Sequence, residues 1–309
     1  MLQGQGFKTI YDLVHRFPDE KSCHTYLASR RWCDGEVSCP YEDCTCNKVY
    51  VFKDGIRYKC KNCGRIFTAK TRTIFEGSNL PLIKWFIAMH LIMHKKGISS
   101  VQLAKDIGTT QRTAWFLLQR IRHTLGMDVK NVKLSGTVEI DETFVGGKNK
   151  NRHRNKRVKN SQGRSYKDKA PVFGMKQRNG LVKAMVVNSV NSEDLYRAVA
   201  ENVEKGTDIM SDEWRAYTAL DKEFNRSFVE HGRGNYVNGN VSTNGIENFW
   251  SHLKRSIIGI YHQVSRKHLN RYVDESVFRY NNRNLDAQSQ IDAILANSEC
   301  RLKYNELVT

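Results

Sequence analysis

Apolar positions along this chain change period several times, and each change marks a different kind of element. Between Leu80 and about Leu125 the spacing is helical. Pro81 suits a first turn, and WFIAMHLIMHKK continues as a largely apolar helix that stops before Gly97. A second helix, SVQLAKDIG, is capped by Ser99 or Ser100, and a third begins at Thr109 or Thr110. In the third, Ala114, Leu117, Leu118, Ile121 and Leu125 form one stripe, Arg112, Phe116, Gln119 and His123 lie opposite, and Arg120 flanks them. A short glycine-containing turn before a basic-faced helix is a helix-turn-helix pattern, which makes Arg112, Gln119 and Arg120 candidate DNA contacts. An ordinary helical bundle with a solvated basic face fits the same spacing.

Past residue 135 the period becomes two. TVEIDETFV alternates Val138 and Ile140 with Glu139 and Asp141, so Asp141 leaves the face opposite the apolar pair. PVFGMKQR and LVKAMVVNSV follow as strands joined at Asn179-Gly180, a hairpin signal. Ser192 is the expected cap of a helix, SEDLYRAVAENVEK, that ends at Gly206. TDIMSDEW is a short buried strand that delivers Asp212 at its end. In STNGIENFWSHLKRSI the residues Ile246, Phe249, Trp250, Leu253 and Ile257 form a helical stripe, with Asn244, Glu247, Ser251 and Lys254 beside it. The order of elements is mixed α/β within an α+β, multidomain chain: a helix and ribbon over 1–78, helices over 79–128, a mixed sheet flanked by helices over 135–285, and a helical tail over 286–309.

Charge narrows the function. Fifty Lys and Arg face 32 Asp and Glu in 309 residues, a formal net charge of +18, which is the balance of a nucleic-acid binder. The run from Leu80 to Met93 is broken by Pro81, Lys84 and His90 and falls short of the roughly 20 apolar residues of a membrane span. MLQGQGFKTIYDLVHRF has no basic region followed by an apolar segment and cleavage site, so secretion is not expected and a reducing prokaryotic cytoplasm, in association with the nucleoid, is. Residues 148–169, KNKNRHRNKRVKNSQGRSYKDK, carry ten Lys and Arg against one Asp and read as a loop suited to phosphate contacts through Arg152, Arg154, Lys156 and Arg157, or as a merely solvated one.

Seven of the eight cysteines crowd into residues 23–63. Cys39-Pro-Tyr-Glu-Asp-Cys44, fifteen residues, then Cys60-Lys-Asn-Cys63 is a pair of tight turns able to hold one tetrahedral Zn²⁺. Two short alternating runs around Asp54-Gly55 lie between the pairs, so the segment reads as a zinc ribbon. Cys46 competes with Cys44 as the fourth ligand, and Cys23 and Cys33 are near enough in sequence to compete as well.

Asp141 and Asp212 at strand ends, with Glu247 on a helix, are the acids a two-Mg²⁺ (or Mn²⁺) phosphodiester site requires, because hard cations need several carboxylate oxygens. A single acid at a strand end is more often a cap or ion-pair member, so the case rests on all three together with the basic surroundings.

RWCDGEVSCP with YKCKNCGRIF, then RTIFEGSNLPLIKWF, VEIDETFVGGK, MSDEWRAY and STNGIENFWSHLKRSIIGIYHQVSRKHLNRYVDESVFRYNNR resemble the zinc-ribbon insertion-sequence transposases of the ISXO-two-like group, from about Phe7 to Tyr304. That resemblance implies a ribonuclease-H-like catalytic domain with Asp141, Asp212 and Glu247 as its acidic triad and Lys254 as the basic residue one to two turns beyond the glutamate. It implies Mg²⁺-dependent cleavage at transposon ends, joining of the 3′-hydroxyl to target DNA, and a synaptic assembly of at least a dimer on duplex DNA. Arg255, Lys267, His268, Arg271, Arg279 and Arg283 would track the backbone, with a salt bridge to Asp274 or Glu275 as the rival role for Arg279 to Arg283. Two other readings share these features: a ribbon and helix-turn-helix regulator with an inactive third domain, and a metal-dependent nuclease without strand transfer.

Overall fold

The chain folds as two units, residues 1–128 with 284–309, and residues 129–283. The computed structural model describes residues 6–308 apart from 45, 128, 130, 148, 150–152, 160–168 and 230–240. Arg152 lies outside the described residues, as does the side chain of Lys156.

The first unit opens with α1 (Ile10–Arg16) and α2 (Glu20–Arg31), each begun by a capping box, Thr9 with Asp12 and Asp19 with Ser22. A three-stranded antiparallel sheet follows, β1 (Val49–Val51), β2 (Arg57–Cys60) and β3 (Ile66–Thr68). The β1–β2 turn is closed by Asp54, whose carboxylate accepts from the amides of Ile56 and Arg57, and by Gly55 at φ +70°. Then come α3 (Leu82–Ile92), α4 (Ser100–Asp106) and α5 (Gln111–Leu125). Pro81 stands at the N-cap of α3, and the Glu20 carboxylate takes the Leu82 amide at 2.9 Å. Ser99 and Thr110 cap α4 and α5, and Gly108, at φ +59°, turns the chain between them.

The expected apolar stripe of α5 is buried, but so is part of its polar side. Gln119 is fully buried, and Arg120 lies over the Trp85 and Phe116 rings while donating to the Glu76 carbonyl. These two side chains belong to the packing of this unit, which corrects their assignment as DNA contacts. A 3.6-residue period marks which face is apolar; that the loop before α3 folds over the opposite side is a long-range event it does not encode.

The second unit is built on one five-stranded sheet: β4 (Thr137–Val145), β5 (Ala170–Gln177), β6 (Val182–Val186), β7 (Asp208–Asp212) and β8 (Asn225–Val229). Their spatial order is β6-β5-β4-β7-β8. The first three pair antiparallel, and β4–β7 and β7–β8 are parallel. Counted within the unit this is strand order 3-2-1-4-5, the ribonuclease-H-like arrangement. Asn179, at φ +55°, makes the β5–β6 turn where Asn179-Gly180 predicted it. Helix α6 (Ser192–Asn202) is capped by Asn191, one residue before the expected Ser192, and ends ahead of Gly206. Between β7 and β8 runs a 3₁₀ segment, Arg215–Lys222. Helix α7 (Asn244–Ser256) passes through a π-turn, Ile257–Tyr261, and is followed by α8 (Leu269–Asn281).

The sheet is covered on both faces. Val138, Ile140, Phe173, Met175 and Ile209 pack with Leu195 and Val199 of α6 and with Tyr217 and Leu220. Val172, Val182 and Ala184 pack with Ile246, Phe249, Trp250 and Leu253 of α7 and with Val273 and Val277 of α8.

The chain then returns to the first unit as α9 (Ala287–Ala296) and α10 (Tyr304–Val308). Asp292 of α9 accepts from the Tyr26 hydroxyl at 2.5 Å and pairs with Arg30 at 2.9 Å, both on α2. The tail therefore packs with helices of its own unit.

Candidate metal centres and nucleic-acid contacts

In the second unit, β4 and β7 lie side by side with Glu139 opposite Met210. Continuing that register by two residues sets Asp212 beside Asp141. Each of Asp141, Glu142 and Asp212 offers a carboxylate oxygen within 4.8 Å of the others. Asp141 sits on the α7 side of the sheet, where the Trp250 indole donates to its Oδ2 at 2.9 Å. Gly174, the register partner of Asp141 on β5, makes that contact possible. A Cβ there would fall 2.5 Å from the Trp250 ring, so only glycine lets the indole cross the sheet and reach the carboxylate. Asp212 accepts from the Trp214 amide at 3.0 Å, and Glu142, on the opposite face, accepts from the buried Tyr217 hydroxyl at 2.5 Å. Burial first, then the neighbouring Glu142 charge, pushes the Asp141 carboxyl up to about 7. Three all-oxygen donors so close repel one another, and a hard divalent cation is the species that relieves them. The donor set therefore fits Mg²⁺ or Mn²⁺.

Glu142 carries no local signal as a member of this group, because strand alternation sends it to the face opposite Asp141. Glu247 is exposed and outside the group, its Oε1 accepting from the Thr243 hydroxyl at 2.9 Å. Glu139, read from sequence only as a polar strand position, anchors the helix that carries Glu247. It is buried, takes the Ile246 amide at 3.0 Å and pairs with Arg178 at 3.2 Å, while Arg178 also donates to the Ser242 hydroxyl at 3.1 Å. An acid two residues before Asp141 on the same face was the available signal.

In the first unit, Cys39, Cys44, Cys60 and Cys63 present sulfurs all within 4.8 Å of one another. Cys39 to Cys63 is 3.8 Å and Cys44 to Cys60 is 3.7 Å. Sulfurs about 2.3 Å from a central Zn²⁺ at tetrahedral corners stand about 3.8 Å apart, so the spacing fits that ion. Arg65 donates to the Cys63 sulfur at 3.2 Å and holds that thiol down to about 6, while its other end bonds Asp43. Cys44 and not Cys46 shares the cluster; the Cys46 sulfur accepts from the Lys48 amide. Cys23 is buried elsewhere, its thiol pushed up to about 12 by burial, and Cys33 is exposed.

The remaining candidate contacts divide by exposure. Arg154, Arg157, Lys254, Arg255 and Lys267 are exposed, while His268 and Arg271 are half-buried. Arg283 is exposed and lies over the Tyr280 ring. Arg112 is exposed and donates to the Tyr304 hydroxyl at 3.1 Å. Arg279 is buried in an ion pair with the fully buried Glu275 and donates to Ser256 at 3.1 Å. Its role is the salt bridge, and its assignment as a backbone contact is corrected. Among the described residues no helix is long and apolar enough to cross a membrane.

Residues 133–281 match the ISXO2-like transposase domain. A protein of the transposable element ISH50 in Halobacterium salinarum is 32% identical over 274 residues, 84% of this chain and 90% of that protein. A transposase-like protein of Haemophilus influenzae is 32% identical over 111 residues, 36% of this chain and 89% of that protein. Among solved structures, a chain of a pre-cleavage Mos1 transpososome aligns with 65% of this chain and 74% of its own at 12% identity and TM-score 0.27. With its mixed sheet, paired acids and cysteine ribbon, the chain belongs to the ISXO2-like transposase family.

Proposed function

We propose that this chain is a DNA transposase that cuts phosphodiester bonds at the ends of its element and joins the freed 3′-hydroxyls to target DNA. The observation that carries the reading is the meeting of Asp141 and Asp212 on adjacent parallel strands, with Glu142 beside them. Two divalent cations, Mg²⁺ or Mn²⁺, would supply the activated water or 3′-hydroxyl and the charge that steadies the leaving oxygen. Asp141 and Asp212 would hold them, Asp141 oriented by the Trp250 indole and Asp212 by the Trp214 amide. Glu247, which accepts from the Thr243 hydroxyl on a helix that Glu139 ties to β4, would be a further ligand. Lys254, two turns on and exposed, steadies a phosphate as a point charge. Cys39, Cys44, Cys60 and Cys63 would hold a Zn²⁺ that ties the ribbon together. Arg112, Arg154, Arg157, Arg255, Lys267, His268, Arg271 and Arg283, with Arg152 and Lys156, position duplex DNA, and a dimer or larger assembly brings two ends together. The protein works in the prokaryotic cytoplasm, on the nucleoid.

Nicking and gel-shift assays on one end duplex test this reading. Asp141→Asn and Asp212→Asn should each abolish Mg²⁺-dependent nicking and leave binding intact, because affinity comes from cations on phosphates. Nicking retained by either variant removes the site. Cleavage without joined products would instead favour the nuclease reading.

A further inference from the structure

The three-stranded sheet of the first unit has two unlike faces. One turns Tyr58 and Phe67 onto Trp32, with ring centroids 5.4 and 6.3 Å away. On the other, the register sets Tyr50, Lys59 and Ile66 in one row across all three strands. The row before it places Lys48 opposite Lys61, whose amide donates to the Lys48 carbonyl. The row after it places Phe52 opposite Arg57. Tyr50 is 55% exposed and Ile66 53%, and Lys48, Lys59 and Lys61 are exposed as well. None of these three rows holds an acid. Asp54, in the turn, is already paired with Arg57 at 2.6 Å.

Large exposed apolar side chains among unneutralised lysines are not what a solvated face needs. A second copy of the same face would set lysine against lysine, so the charge points to a polyanion. Aromatic and aliphatic groups between cations can meet sugars and base edges while the ammonium groups meet phosphates. Helix α5 offers less, since Gln119 and Arg120 are buried and Arg112 alone of its three candidate contacts is exposed. We propose that the Tyr50–Lys59–Ile66 face, with Lys48 and Lys61 beside it, is a binding surface for duplex DNA. The inference rests on the transposase reading and adds to it which face of the ribbon meets the DNA.

The test uses the full chain and a labelled duplex of the element's terminal sequence, titrated over a range of salt. Lys59→Ala/Lys61→Ala should reduce the slope of log affinity against log salt by about 2, at roughly 0.9 for each phosphate no longer neutralised. Tyr50→Ala should weaken binding about fivefold at unchanged slope, as loss of apolar contact with sugars and base edges that carries no charge. Zinc content equal to wild type in each variant shows that the ribbon is intact. Wild-type affinity and slope in all variants overturn the proposal. So does a wild-type dimer that Tyr50→Ala and Ile66→Ser dissolve without loss of DNA binding, which would assign the face to a second copy. A wild-type chain that binds the duplex through this face but never cleaves it would leave the proposal standing and remove the transposase reading.

Discussion

Replacing Asp141 by asparagine should stabilise the metal-free protein. The carboxyl is pushed up to about 7 from an ordinary 3.8, chiefly by burial and then by the charge of Glu142. A rise of about three pH units at about 1.4 kcal/mol each gives an upper limit of about 4 kcal/mol, and for a half-buried group about 2 kcal/mol is a reasonable lower figure. A raised folded-state pKa means that the native state holds its proton more tightly than the unfolded chain. Its contribution is fully present below the unfolded value and is lost as pH rises through about 7. Asparagine keeps an oxygen for the Trp250 indole and carries no charge. The variant should therefore match wild type near pH ~4 and exceed it by ~2–4 kcal/mol near pH ~8, with most of the difference arising between. Amide exchange of β4 and β7 in the full chain reads this unit separately from the other, in Mg²⁺-free buffer without chelator so that ribbon metal stays bound. Mg²⁺ should then stabilise wild type and not the variant. An Asp141→Asn protein that is less stable than wild type near pH ~8, or a difference that does not grow with pH, would refute the reasoning.

Gly174→Ala should destabilise the second unit by about 1–3 kcal/mol in urea unfolding, because its methyl meets the rigid Trp250 ring and Ile246. An unchanged midpoint would show that the indole has room to move. Glu139→Gln leaves Arg178 without its carboxylate and should cost about 2–3 kcal/mol, lowering cleavage more than DNA binding as α7 loses its anchor. Equal losses in both would make Glu139 merely structural. Glu142→Gln and Glu247→Gln should both suppress Mg²⁺-dependent single-turnover cleavage, whereas Tyr217→Phe should weaken Mg²⁺ about tenfold or more by releasing Glu142. Full rates for Glu247→Gln in a folded protein would leave Asp141, Glu142 and Asp212 as the complete set.

Local chemistry carried much of the fold into the sequence. Asn179-Gly180 marked its hairpin because positive φ there has few other solutions, and Val138 with Ile140 marked the inner face of β4. The stripe from Ile246 to Ile257 marked α7 and the side it buries. What stayed hidden depends on partners distant in the chain. The second face of β4 reads as polar because of Glu139 and Asp141, yet α7 covers it, and Glu139 is an internal anchor. Arg120 and Arg279 read as surface cations, but Trp85 and Glu275 lie where periodicity alone sees solvent. Asp141 and Asp212 were legible as acids at strand ends, while Glu142 joins them only through the pairing of β4 with β7. The four cysteines were legible by spacing, and the choice of Cys44 over Cys46 needed the turn geometry.

Anomalous diffraction at the manganese edge, from crystals of the full chain with an end duplex and Mn²⁺, tests the central claim most directly. Peaks are expected roughly 2.0–2.3 Å from carboxylate oxygens of Asp141 and Asp212, the range for hard divalent ions. An active complex whose manganese peaks lie away from both aspartates would contradict the claim.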